Sequence, residues 1–169
     1  DTLDVSVTSA DHAVSIEPFV AERIEVLKGP STLLYGSGAI GGVVDVHTGR
    51  IPHDVPDKAF SGGVEYRYDN NTEGNTTAAK LNGGSGNFAW HLDGTWNDGD
   101  EYEIPGFAES AQLRALEEAE GEAGEEEVRG VLPGSQFDAK SYAGGASYIF
   151  DRGFFGVAVS KIDSEYGLP

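Results

Sequence analysis

Asn87-Phe88-Ala89-Trp90-His91-Leu92-Asp93-Gly94-Thr95-Trp96-Asn97 alternates along its whole length. Phe88, Trp90, Leu92, Gly94 and Trp96 fall on one face and Asn87, Ala89, His91, Asp93, Thr95 and Asn97 on the other. A period of two is the mark of a β-strand with two unlike faces. The same period extends in both directions. Upstream, Phe60, Gly62, Val64, Tyr66 and Tyr68 oppose Ser61, Gly63, Glu65, Arg67 and Asp69, and Thr77, Ala79, Leu81 and Gly83 oppose Ala78, Lys80 and Asn82. Downstream, Tyr142, Gly144, Ala146, Tyr148 and Phe150 share a face, and Phe155, Val157 and Val159 oppose Phe154, Gly156, Ala158 and Ser160. The pattern predicts about five strands of about 9–11 residues, the length that crosses a bilayer at a tilt.

The connections alternate in length. Asn70–Asn75 is a polar loop, Gly84-Ser85-Gly86 a short turn, Asp98–Asp138 a long insertion and Asp151-Arg152-Gly153 a tight turn. Short turns on one side and long loops on the other describe an outer-membrane β-barrel, with the short turns periplasmic if the first strand runs outward. Aromatic residues gather towards strand ends, as interfacial girdles require. Phe60, Phe88, Trp90, Tyr148, Phe150 and Phe155 are expected low, and Tyr66, Tyr68, Trp96 and Tyr142 high. Alternation alone does not separate such a barrel from a soluble β-sandwich, because both need one apolar face. Strand length, girdle placement and loop asymmetry favour the barrel.

Composition narrows the function classes. Cysteine is absent, so disulfides and thiolate metal sites are excluded. A net charge of −18 argues against nucleic acid, whose phosphates need Lys and Arg. Of the 29 Asp and Glu, 12 lie between Asp98 and Glu127, with a short helix expected over Ala108–Ala119. That acidic loop is either a cation-gathering surface or a solvated, mobile loop. No apolar stretch reaches the roughly 20 residues of a membrane helix. No signal peptide is visible at Asp1, and the chain reads as a mature, excised or truncated piece. No nucleophile–base pair or paired-carboxylate constellation suggests an enzyme.

Residues 1–50 read differently, as mixed α/β. Arg23-Ile24-Glu25-Val26-Leu27 alternates up to a Lys28-Gly29-Pro30 turn, Ser31–Tyr35 suits one helical turn, and Val43-Val44-Asp45-Val46 suits a short buried strand. Two prolines mark 51–58 as a linker, leaving 59–169 for the barrel strands. The run Glu22-Arg23-Ile24-Glu25-Val26-Leu27-Lys28-Gly29-Pro30, followed by Leu33-Leu34-Tyr35-Gly36-Ser37-Gly38-Ala39-Ile40-Gly41-Gly42-Val43-Val44-Asp45-Val46, resembles the plug signature of TonB-dependent outer-membrane receptors. The resemblance implies the C-terminal part of a plug followed by the first strands of a large barrel, about 22-stranded when complete. It also implies active import across the bacterial outer membrane, driven by the TonB complex.

Asp11-His12-Ala13, Val44-Asp45-Val46 leading into Gly49-Arg50-Ile51-Pro52, and the closing Tyr166-Gly167-Leu168-Pro169 are similar to the zinc-importing branch of that family. That branch implies Asp11 and His12 as plug ligands to transported Zn²⁺, with further ligands beyond this chain and no resident cofactor. Zn²⁺ accepts imidazole nitrogen and carboxylate oxygen, which suits a cysteine-free importer. Adjacent residues point apart in a strand, so Asp11 and His12 converge on one ion only in a loop. The alternative is a capping Asp beside an exposed His. His91 with Asp93, two residues apart on one face, and His47 and His53 at the plug–barrel junction are candidate transit or supporting positions. For each, an ordinary polar-lumen or linker role is the competing reading. The alternative functions are import of an iron–siderophore or other chelate, and a passive porin-like channel.

Overall fold

The computed structural model describes residues 16–30, 32–36, 39–120 and 128–167. After a 3₁₀ turn at Pro18–Val20, strand β1 (Arg23–Lys28) leads through a helical turn, α1 (Thr32–Tyr35), to β2 (Gly42–His47). β3 (Phe60–Asp69), β4 (Gly74–Ser85) and β5 (Phe88–Gly99) follow. An excursion then holds β6 (Glu103–Phe107), helix α2 (Ala111–Glu120) and β7 (Arg129–Val131). The described chain ends with β8 (Phe137–Phe150) and β9 (Gly153–Tyr166).

β1 and β2 form an antiparallel pair in which Arg23 faces His47, Glu25 faces Asp45 and Leu27 faces Val43. Gly29, at φ 97°, begins the connection, a left-handed conformation that glycine adopts without a Cβ penalty. One departure from expectation lies here. The run Val43–Val46 reads as buried, yet Val44 is 64% exposed and Val26, on the same face, 65%. The apolar face of this two-stranded ribbon is its open one, and the polar face carrying Glu25, Asp45 and His47 is the more covered. Alternation predicts the strand correctly, but it does not say which face is covered.

β3-β4-β5-β8-β9 form one five-stranded sheet in sequence order, with β3 and β9 as its outer members. The strands have 10, 12, 12, 14 and 14 residues, longer than expected, because hydrogen bonding continues into segments that read as loop. β4 begins at Gly74, inside the expected Asn70–Asn75 loop, and the β4–β5 turn shrinks to Gly86-Asn87, with Gly86 at φ 60°. β8 starts at Phe137, just before the expected end of the acidic insertion. The expected helix is present but begins three residues later, at Ala111, with the Ser110 hydroxyl accepting from Leu113 N–H as an N-cap. The insertion also holds a small antiparallel pair, β6 with β7, that its simple composition hid.

Burial decides between sandwich and barrel. Large apolar side chains point to the outside: Phe60 is 62% exposed, Val64 73%, Phe155 72% and Val159 77%. The covered face is small and polar, with Ala78, Ala89, His91, Asp93, Thr95, Ala143 and Ser147 all buried. A soluble sandwich buries its apolar face. An inverted sheet is what a lipid-facing barrel wall requires. The chain is therefore mostly β, with a partial plug and antiparallel strands of a transmembrane β-barrel.

The chain divides into two compact units. One comprises residues 1–65, 78–95 and 141–161: the plug segment, the linker and the ends of the strands that meet at the two short turns. All six aromatics expected low belong to it, as does Tyr142, which the sequence groups with the other end. The second unit, 66–77, 96–140 and 162–169, holds the long connections together with Tyr66, Tyr68 and Trp96. Within this second unit Tyr66 O–H donates to Asn75 Oδ1 at 2.6 Å, and Thr76 O–H to Asn97 Oδ1 at 2.7 Å.

Candidate functional site

The plug segment and linker lie against the covered face of the sheet, and small residues in the wall make room for them. A Cβ at Gly145 would collide with the carbonyl oxygen of Arg50, and one at Gly63 would sit 3.2 Å from the Phe19 ring. Lys80 Nζ lies 5.0 Å over that ring. Ile51 Cγ2 and Ser147 Oγ both crowd the position of a Gly156 Cβ, so the linker covers Ser147. His53 stacks on Phe154 with ring centroids 4.4 Å apart.

Arg50 is the centre of this contact. Its Nε donates to Asp93 Oδ2 at 2.9 Å and its Nη2 to Asp93 Oδ1 at 2.9 Å, a bidentate fork. The Asp93 side chain has no exposed surface, and that of Arg50 is 21% exposed. His91 completes the group, with Nε2 3.0 Å from Asp93 Oδ2 and Nδ1 2.6 Å from Asn82 Oδ1. Asn82, His91 and Asp93 come from the inward positions of β4 and β5, as alternation assigns them. The sequence pairs His91 with Asp93 but gives no role to Arg50. An X-Arg-Ile-Pro linker carries no sign of a partner 43 residues away. Both His91 nitrogens and both Asp93 oxygens are engaged, so the quartet braces the linker to the wall. A cavity of about 710 Å³ opens beside it, lined by Arg23, His47, Arg50, His53, Lys80 and His91 among others. Its walls therefore carry more basic and imidazole groups than acids.

A second cluster lies on the polar face of the β1–β2 pair. Glu25, Asp45 and His47 bring one donor atom each within 4.8 Å of one another. His47 Nε2 is 3.4 Å from Asp45 Oδ2 and 3.9 Å from Glu25 Oε2. Arg23 Nε holds the other Glu25 oxygen at 2.6 Å, and Tyr35 O–H donates to Asp45 Oδ2 at 2.9 Å. That hydrogen bond, with the negative charges of Asp45 and Glu25, pushes the Tyr35 phenol above its ordinary pKa. Sequence reading singles out His47 but not its partners. The β1–β2 register supplies them, and the two alternating runs already contain that register. Asp11 and His12 lie outside the described residues.

The TonB-dependent Receptor Plug Domain model matches residues 4–43. The match supports a TonB-dependent receptor plug in this stretch of the chain. Such receptors reside in the outer membrane of Gram-negative bacteria, and they are transporters rather than enzymes. The Hemin receptor of Yersinia enterocolitica is 52% identical over 33 residues, which are 20% of this chain and 5% of that protein. The Ferric enterobactin receptor PirA of Pseudomonas aeruginosa is 57% identical over 35 residues, 21% of this chain and 5% of the relative. The match to these receptors thus spans about one-twentieth of their length. Among solved structures, the FrpB iron transporter from Neisseria meningitidis in its apoprotein form superposes with a TM-score of 0.58 at 20% identity, over 89% of this chain and 21% of that one. The likeness extends well past the plug match and agrees with the inverted sheet. At that identity it speaks for the fold alone.

Proposed function

We propose that the receptor containing this chain imports an iron chelate, of the haem or siderophore class, across the outer membrane by TonB-coupled work on its plug. The observation that carries the coupling is the Arg50–Asp93 fork, which ties the segment following the plug to the polar face of the wall. A segment held to the wall by a buried ion pair is open only in a small fraction of molecules, because losing one partner of such a pair costs about 3–5 kcal/mol, and work on the plug would raise that fraction.

The relatives above, named for hemin and for ferric enterobactin, support the iron-chelate ligand. The expected zinc ligand rests on Asp11-His12 and on resemblance. The cationic side chains of Arg23, Arg50 and Lys80 at the cavity also suit an anionic chelate. The test is uptake by a strain lacking the receptor and then complemented with it. Haemin, ferric enterobactin and Zn²⁺ are supplied separately, with and without collapse of the proton-motive force. Energy-dependent uptake of either iron compound supports the proposal. Uptake of Zn²⁺ alone would return the ligand to zinc, and uptake that persists without energy would return the protein to the porin class.

A further inference from the structure

The geometry points to a divalent-cation site on the plug ribbon, formed by Glu25, Asp45 and His47 and independent of whichever ligand the receptor imports. Register builds it. Glu25 and Asp45 are direct partners across the β1–β2 ladder, and His47 stands two residues beyond Asp45 on the same face. One imidazole nitrogen and two carboxylate oxygens thus converge from two strands. This donor set suits a borderline cation such as Zn²⁺.

The spacing agrees with that assignment. Donors bound at about 2.0–2.2 Å in a tetrahedron lie roughly 3.3–3.6 Å from one another. His47 Nε2 is 3.4 Å from Asp45 Oδ2, and its 3.9 Å to Glu25 Oε2 closes with a small rotation of one carboxylate. The state of the imidazole is an independent sign. His47 Nε2 has almost no accessible surface, yet it makes no hydrogen bond although two carboxylates stand nearby. The rest of the His47 side chain is 40% exposed, so this one covered nitrogen is what lacks a partner, and an ion between the three groups would satisfy it.

The surroundings hold the ligands in place. Arg23 fixes the far oxygen of Glu25, and the Tyr35 hydroxyl bonds Asp45 Oδ2, so each carboxylate is oriented by a neighbour. Three protein donors leave a fourth position to water, which makes the site exchangeable rather than closed. His47 also lines the cavity, so an ion there is reached from the same space as the linker brace. A bound cation would clasp β1 to β2 at the point where the ribbon passes into the linker.

The experiment is titration of the intact, detergent-purified receptor with Zn²⁺ alone, followed by Co²⁺ as a spectroscopic probe. Four receptors are compared: wild type, His47→Ala, Asp45→Asn and the Asp11→Ala/His12→Ala double variant. The expected result is one Zn²⁺ per receptor that weakens roughly 100-fold or more in the first two variants, since orienting groups alone are worth 10–100-fold. The double variant keeps this ion, and the visible Co²⁺ bands disappear with His47. If His47→Ala fails to fold, Glu25→Gln, which keeps the shape of the side chain, gives the same comparison. Equal Zn²⁺ stoichiometry and affinity in wild type and in the folded His47 or Glu25 variant would overturn the site. Because uptake of iron chelates is not the readout, that failure is separate from failure of the proposed import function.

Discussion

Arg50→Ala should release the linker from the wall and leave the strands intact. The Asp93 side chain is fully covered and takes both of its strong hydrogen bonds from the Arg50 fork, leaving His91 as its other partner. Removing one member of a buried pair costs about 3–5 kcal/mol, and the 21% exposure of Arg50 puts this case near the lower end, about 3 kcal/mol. At about 1.4 kcal/mol per decade, the open population of the linker rises about 100-fold. Ser147, 2% exposed beneath Ile51, reports that opening. The chain has no cysteine, so Ser147→Cys supplies a single buried thiol within it. When closing outpaces labelling, the rate of modification follows the open population. A receptor carrying both Ser147→Cys and Arg50→Ala should therefore label about 100 times faster than one carrying Ser147→Cys alone. Arg50→Lys keeps the charge but loses the fork and should fall between the two. Gly145→Ala, which drives a methyl into the Arg50 carbonyl, should accelerate labelling through the linker backbone without touching the ion pair. A change of less than about threefold for Arg50→Ala, within scatter and far below the factor worked above, would refute the idea that this pair holds the linker down.

Two further outcomes follow from the inverted sheet and the plug cluster. Val64→Arg should cost about 2–4 kcal/mol of folding stability in lipid vesicles, measured by urea titration, whereas Ser61→Lys, half-buried on the opposite face beside the open cavity, should cost less. Equal tolerance at both positions would instead indicate that Val64 faces water. Asp45→Asn removes the main cause of the raised Tyr35 pKa, so tyrosinate absorbance should gain a component that ionises at lower pH than in wild type, and Tyr35→Phe should abolish that component.

Much of the wall is legible from period alone. His91, Asp93 and Thr95 stand inward and Leu92 and Trp96 outward, as the alternation of Asn87–Asn97 requires. Strand ends are less legible, because Gly74 and Phe137 continue hydrogen bonding across residues whose types suit loops equally well. The direction of burial is legible only indirectly. Val44 and Val64 both sit in alternating apolar runs, and both are exposed, one on the open face of a two-stranded ribbon and one on a wall. No local pattern distinguishes an apolar side chain meant for a core from one meant for lipid. Strand length and loop asymmetry carry that information.

The two clusters show where sequence reading stops and why. Glu25, Asp45 and His47 meet because two short strands pair in one register, and a shift of one residue would place His47 on the opposite face. The pairing is derivable from the runs themselves, so this cluster lies within reach of the sequence. Arg50 and Asp93 meet because an irregular linker crosses the wall where Gly145 leaves space for its carbonyl. Neither periodicity nor spacing encodes that crossing, and an Arg between Gly and Ile looks like any exposed linker residue. A buried Asp on an inward strand position nevertheless demands a partner, because an unpaired carboxylate there is too costly to keep. His91 alone leaves one Asp93 oxygen without a donor. Asp93 therefore calls for a cation arriving from the plug side, and Arg50 is the basic residue of that segment that reaches it.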